Sequence, residues 1–339
     1  MIKRAENFES LENGLVKCRL CPKMCVLRDG EEGACKVRVN YNGTLYSMSY
    51  GILSTQSIQP IEKVLYHFYP GTKTFAISSV GCTFNCLWCQ NFGISQAKKV
   101  SSITFEMTAQ DVIDSAKRYG VSTISFVNNE PIVWYEFVKD VSKISKENGM
   151  KNILFTNGYI TLEALKDLVK YVDAVNLDVK GFSEELYQKY CNGTLAPVLD
   201  TAKYLIENKI HLELTYLIVP LINDSLEEIG NFVDWVRDQL NTSIPIHFAR
   251  FFPAYKFQDR PPTPADTLMA AANLAYEHGL EYVYVKNVYF EGLEDTHCPR
   301  CHIQLISRHN FNVSNVNLTS KNECPNCGLK IPLVGKPST

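Results

Sequence analysis

Between residues 72 and 290 the spacing of apolar positions changes repeatedly. Short runs of β-branched and other apolar residues alternate with stretches whose apolar positions fall three and four apart. The short runs predict strands at Thr74 to Val80, Thr123 to Val127, Asn152 to Thr156, Ala174 to Asp178, His211 to Leu217 and Ile244 to Ala249, with a seventh run at Glu281 to Val285. The longer stretches predict helices with clear ends. Thr108, with Asp111 three residues on, starts one that stops at Gly120, and Val133, Phe137, Val141 and Ile144 form a stripe ending at Gly149. Asp224 or Ser225 caps Leu226 to Leu240; Thr263, Pro264 and Asp266 read as cap, first-turn proline and capping acid before Leu268 to His278. Alternation of this kind predicts βα units around a parallel sheet, here an α/β fold of the partial (β/α)6, TIM-like barrel type.

The flanks follow other rules. Residues 1 to 71 form a cysteine-rich module in which Leu45 to Tyr50 alternates like a strand and Ser54 to Leu65 shows no clear period. An aromatic turn, Tyr66 to Gly71, then leads into the barrel, and His67 within it reads as a packed residue. Residues 291 to 339 form a second small module, two Cys-Pro-x-Cys turns joined by the β-rich connector Ile303 to Leu318.

Composition narrows the setting. A chain of 339 residues with 45% hydrophobic and 21% charged residues is long enough for one large core with small satellites. A net charge of -2 gives no electrostatic reason to expect nucleic acid or an anionic membrane as a partner. The N-terminus lacks the apolar core of a secretory signal, and no run of 18 apolar residues occurs, so the expected location is cytoplasmic. Twelve cysteines in a reducing compartment read as metal ligands, and they sort into four, three, one and four along the chain.

The group of three, Cys82, Cys86 and Cys89, has the spacing C-x3-C-x2-C and follows the first barrel strand. Three thiolates so close in sequence are ligands, and three on a [4Fe-4S] cube leave one iron open, unlike the closed four-ligand set of structural zinc. Cys18, Cys21, Cys25 and Cys35 make a closed set whose spacing suits either zinc or a second iron-sulfur cluster. Cys298, Cys301, Cys324 and Cys327 read as a zinc ribbon whose place is open: a lid on the barrel mouth, a docking module, or a stabiliser of the terminus. The lone Cys191 reads as a small buried residue. The ends of the predicted strands carry further polar groups: Asn128 to Pro131, Thr156 to Tyr159, Asp178 to Gly181, then His247, Arg250 and Lys256. Such clustering is what the mouth of a barrel enzyme requires.

The three-cysteine spacing with Trp88 before the last cysteine resembles the radical S-adenosylmethionine (SAM) superfamily. Further stretches resemble the radical SAM enzymes of the AmmeMemoRadiSam system, relatives of the pyruvate formate-lyase activating enzymes. They include Pro60 to Lys63, Cys89-Gln90-Asn91, Asn129-Glu130-Pro131, Thr156 to Tyr159, Asp178-x-Lys180-Gly181 and Asp259 to Pro264. The resemblance implies a [4Fe-4S] cluster on Cys82, Cys86 and Cys89 that binds SAM, and hydrogen abstraction from a substrate by the 5'-deoxyadenosyl radical. It implies cofactor contacts from Trp88, Asn129, Glu130, Asn157 and His247, with Glu130 accepting from the SAM amino group. A protein or peptide substrate is expected on the strength of Asp178 and Lys180, which carry the catalytic role, with Arg250 and Lys256 as substrate contacts. A small molecule or lipid is the alternative substrate, and a non-catalytic iron-sulfur or zinc scaffold the alternative role. Implied partners are an electron donor such as ferredoxin or flavodoxin and, through gene neighbourhood, Memo-like and AMMECR1-like proteins.

Overall fold

The computed structural model describes residues 1–97, 104–288 and 292–339, so the expected boundary between residues 290 and 291 lies outside the described residues. One eight-stranded sheet organises the molecule: β1 (Thr55–Pro60), β2 (Lys73–Ser78), β3 (Thr123–Phe126), β4 (Lys151–Thr156), β5 (Ala174–Val179), β6 (His211–Ile218), β7 (Ile246–Arg250) and β8 (Val283–Lys286). They lie side by side in chain order. β2 to β8 are parallel, so the seventh run becomes a full member, and β1 is antiparallel to β2. The sheet is that of a partial barrel, open between β1 and β8.

Among the described residues the longer helices that cover it are α1 (Ala109–Arg118), α2 (Tyr135–Glu147), α3 (Leu162–Leu168), α4 (Ala196–Glu207), α5 (Leu226–Gln239) and α6 (Ala265–Glu277). The inward faces are apolar, as with Ile229, Phe232, Val233 and Val236 of α5, all fully buried. Thr108 and Asp111 form a reciprocal capping box on α1. Of the two candidates at α5, Ser225 is the cap and accepts from the Glu228 amide, while Asp224 accepts from the Leu221 amide. Ser225→Ala should therefore cost about 1 kcal/mol of stability, read as a lower denaturation midpoint at unchanged slope. Thr263 does not cap α6. Its hydroxyl donates to Ile218 O and accepts from Phe251 N, tying the end of β6 to the chain beyond β7.

The strand Thr55–Pro60, within the stretch read as aperiodic, joins the main sheet as β1. Its Thr55, Gln56, Ser57 and Gln59 carry no apolar alternation because an edge strand held through its backbone needs none. Elsewhere in the N-terminal region two small three-stranded antiparallel sheets stand at the flank of the barrel mouth, and Ile52–Leu53 pairs antiparallel with Phe105–Glu106. The region is fixed there by the buried Arg38–Glu136 pair at 2.7 Å, by Thr161 N to Leu20 O at 3.0 Å, and by a close backbone approach at Gly81. Gly81 has φ +92°, and a Cβ there would stand 2.8 Å from Cys35 O.

The C-terminal module, a three-stranded antiparallel sheet of Thr296–His297, Gln304–His309 and Asn312–Val316, sits at the opposite end. Its core of Cys298, Leu305, Ile306, Cys324 and Ile331 is continuous with Tyr66, Tyr282 and Tyr284. Arg308 reaches in and donates to Tyr66 O at 2.8 Å, and its guanidinium lies 4.5 Å from the centre of the Tyr66 ring. The module therefore closes the floor of the barrel, where the strands begin, and the lid reading fails. Among the described residues no helix is long and apolar enough to cross a membrane.

Candidate active site

Alternate residues of a strand face the same way, so the last inward residue of each parallel strand and the loop after it meet at one end of the sheet. There a cavity of about 230 Å³ is lined by Cys82, Cys86 and Cys89, with Trp88 beside them. Asn129, Glu130, Asn157, Asp178 and Lys180 line the same cavity. Thr215, Leu217 and Ala249 extend the wall.

The cysteine loop is held by its neighbours and not by regular structure of its own. Asn85 N and Leu87 N donate to Cys191 O and Tyr190 O at 2.9 and 3.1 Å, and Lys256 N donates to Leu87 O at 2.9 Å. Phe84 packs over Gly193, where a Cβ would stand 2.3 Å from its ring. Burial pushes the Cys82 and Cys89 thiols up, and at Cys86 a hydrogen bond with Cys191, then burial, does the same. Three thiolates stand together here only with a positive partner, as metal ligands have. Cys191, which no spacing pattern marks, is the residue that the sequence reading missed at this loop.

The polar residues after β3 and β4 lock the mouth. Asn129 Oδ1 accepts from Ser79 N at 2.8 Å, and its amide points to Val80 O and Gly81 O. Glu130 is buried, and burial raises its pKa to about 7 against the donors around it. Those donors are Thr156 Oγ1 at 2.6 Å, Asn157 N at 2.8 Å and Ile132 N at 3.1 Å. Asn157 Nδ2 reaches Thr83 Oγ1 at 3.0 Å and Cys82 Sγ at 3.7 Å, so it orients the first cysteine. Lys180 pairs with Asp178 across the cavity floor. Burial opposes the lysine's charge, but Asp178 and Cys86 outweigh it and hold the ammonium protonated. Asp178 Oδ1 and Trp88 Nε1 are buried without a hydrogen-bond partner. Two orphaned polar atoms beside three convergent thiols fit a site built for an iron-sulfur cluster and a polar ligand.

His247 is not part of this site. It is the second residue of β7, one inward layer below Ala249, and its Nε2 lies 2.6 Å from Glu213 Oε2. Its ring stacks on Tyr284 with centroids 5.3 Å apart, and burial together with Lys286 lowers its pKa to about 4. The sequence reading placed it too high because the strand starts at Ile246 and not at Ile244. Arg250 also turns away from the cavity, its Nε donating to Thr263 O at 2.9 Å. Lys256 is exposed on the loop beside the cysteines, over the Tyr255 ring. The four N-terminal cysteines line a small cavity of their own. The four C-terminal ones gather their sulfurs within 4.8 Å and can hold a metal ion.

Residues 76–236 match the model of the radical SAM superfamily. Uncharacterized protein MJ0808 of Methanocaldococcus jannaschii is 44% identical over 98% of this chain and 100% of its own length. Pyruvate formate-lyase 1-activating enzyme of Escherichia coli (strain K12) is 22% identical over 60% of this chain and 89% of its own. Among solved structures, Streptococcus suis SuiB bound to precursor peptide SuiA aligns with a TM-score of 0.51 at 16% identity, covering 67% of this chain and 51% of that one.

Proposed function

We infer the function from one premise: this chain belongs to the radical SAM superfamily. It is a radical SAM enzyme, and we propose that it abstracts hydrogen from a protein or peptide substrate. The observation that carries this reading is the convergence of Cys82, Cys86 and Cys89 with Asp178 and Lys180 on one cavity at the C-terminal ends of the strands. The radical SAM domain implies a [4Fe-4S] cluster and SAM, which together supply one-electron cleavage of the sulfonium to a 5'-deoxyadenosyl radical.

This chain's residues do the positioning. Cys82, Cys86 and Cys89 provide three thiolates, and Asn157 aims Cys82. Glu130 bolts the ends of β3 and β4 together through Thr156 and Asn157, and Asn129 anchors the turn to the end of β2. Trp88 covers the cluster side, with Phe257 packed at 6.0 Å, and excludes water. Asp178, with one free oxygen, and the charged Lys180 orient the substrate, and Lys256 contributes at the rim. A peptide substrate is supported by the likeness to the activating enzymes and by the Asp-x-Lys at the end of β5. Zinc is the proposed occupant of the C-terminal four cysteines, whose sulfurs pair at 3.5 Å. Radical SAM chemistry needs an electron donor; a ferredoxin or flavodoxin in the cytoplasm is proposed, with Memo-like and AMMECR1-like proteins as partners.

Deuterium transfer tests the substrate class. Perdeuterated Memo-like and AMMECR1-like proteins, incubated anaerobically with enzyme, SAM and a reductant, should pass deuterium into 5'-deoxyadenosine, read by mass spectrometry. Unlabelled 5'-deoxyadenosine with both would sink the proposal that either is the substrate. Asp178→Asn should lower the transfer by at least about tenfold, about 1.4 kcal/mol, while SAM cleavage without substrate stays within a few fold of the native enzyme.

A further inference from the structure

The two closed sets of four cysteines differ in a way that their spacing in sequence does not reveal. Zinc held by four thiolates at about 2.3 Å brings the sulfurs to about 3.8 Å from one another. The C-terminal set has that compactness, with Cys298 Sγ to Cys327 Sγ and Cys301 Sγ to Cys324 Sγ both at 3.5 Å and all four within 4.8 Å. Among the described residues it is the group in which three or more such ligand atoms come that close together. The N-terminal set is more open, as are Cys82, Cys86 and Cys89. Cys18, Cys21, Cys25 and Cys35 surround a cavity of about 20 Å³ in place of a single point.

A second observation concerns what fills that cavity. Arg38 lines it, is 1% exposed, and binds both oxygens of Glu136 through Nη2 alone, at 2.9 and 2.7 Å. Its Nε and Nη1 are buried and have no partner. Two buried cationic donors at a cavity of four sulfurs require an anionic occupant with acceptor atoms beyond the thiolates themselves. A four-iron cluster meets both conditions, since its cube spreads the cysteine sulfurs apart and its bridging sulfides accept hydrogen bonds.

We propose that Cys18, Cys21, Cys25 and Cys35 hold a second [4Fe-4S] cluster, fully ligated by protein, with Arg38 as its buried counter-charge. The cluster lies against the active site. Thr83, the residue after Cys82, lines the N-terminal cavity and bonds to Asn157, and the backbone at Gly81 touches Cys35. The two iron sites are thus separated by the wall that Thr83 forms. The inference does not rest on the substrate or on SAM cleavage.

Iron counting in the whole chain decides it. Protein expressed with both iron and zinc supplied, purified anaerobically and never reconstituted, is compared with a variant in which Cys82, Cys86 and Cys89 are all alanine. That variant should keep about four iron atoms per chain, a broad absorption near the blue edge of the visible, and after reduction an electron paramagnetic resonance signal. The native chain should hold about eight. A triple variant with no iron overturns the proposal, whether zinc has taken its place or the site is empty. Cys18→Ala with Cys21→Ala should remove the complementary four. Should the native chain fail to cleave SAM while the triple variant retains its iron, the functional reading falls and the second cluster stands.

Discussion

Cys86→Ala is expected to lower reductive SAM cleavage by about a thousandfold or more, about 4 kcal/mol in barrier terms, and to remove about four iron atoms per chain. The reason is geometric. Cys86 is the middle thiol of a loop that has no regular structure and is held through Asn85, Leu87 and the chain at Tyr190 and Cys191. Its side chain is 7% exposed, so alanine removes a ligand with little disturbance of the surface. Cys191 introduces a complication that the experiment must include. Its thiol lies close enough to raise the pKa of Cys86, and on loss of Cys86 it is a candidate replacement. The stringent variant therefore removes both cysteines, and Cys191→Ala alone should retain cleavage. Undiminished 5'-deoxyadenosine from the double variant would exclude the three-cysteine site as the catalytic one.

The largest expected loss of stability lies at the other end of the barrel. Glu213 is fully buried at the start of β6, and its two oxygens accept from Tyr66 N, His67 N, His211 Nε2 and His247 Nε2 at 2.6 to 3.0 Å. Burial disfavours its charge, but His211 and His247 outweigh that and hold the carboxyl well below its usual range. Glu213→Ala should cost about 3 to 5 kcal/mol, because two backbone amides and two histidine rings lose their acceptor and the buried Lys286 loses a counter-charge. Chemical denaturation reads the loss, and a change within about 1 kcal/mol of native would refute it. The same network fixes a pH dependence. His67 and His247 are held down to about 3 and about 4, mainly by burial, below the unfolded value of about 6.5. Below pH about 6.5 the unfolded chain therefore binds more protons than the folded one, and stability should fall progressively as pH drops toward 4.

Much of the barrel is visible in the sequence because buried parallel strands are continuous apolar runs between capped helices, as at Ile153 and Leu154 of β4 or Ala174 and Val175 of β5. The strand β1 is not, since an edge held by its backbone leaves Thr55, Gln56 and Ser57 free to be polar. The site is legible where chemistry sets the spacing, as in Cys82, Cys86 and Cys89. It is illegible where depth matters: His247 and Ala249 share a face, and the start of β7 decides which of them reaches the mouth. Glu213 is a signal of another kind, a charge between Leu212 and Leu214. A charged residue at an inward position of an otherwise apolar strand needs partners, and these come from residues 66 and 67, far away along the chain. The floor position of the C-terminal module rests on Arg308 and on tail residues such as Val334, whose contacts leave no periodic trace.

The module at the floor also sets a timetable for biosynthesis. The strands lie in chain order, so the barrel can be laid down one strand at a time as the chain leaves the ribosome. Its base cannot. Tyr66 must wait 147 residues for the Glu213 carboxylate and 242 residues for the Arg308 guanidinium. The turn at Cys324 to Cys327 is made after every strand of the barrel. Until it emerges, the foot of the barrel stays unsealed, and a nascent chain that already holds Cys82, Cys86 and Cys89 is not yet fully folded. Emergence of that turn, and not synthesis of the catalytic loop, is the event that seals the foot of the barrel.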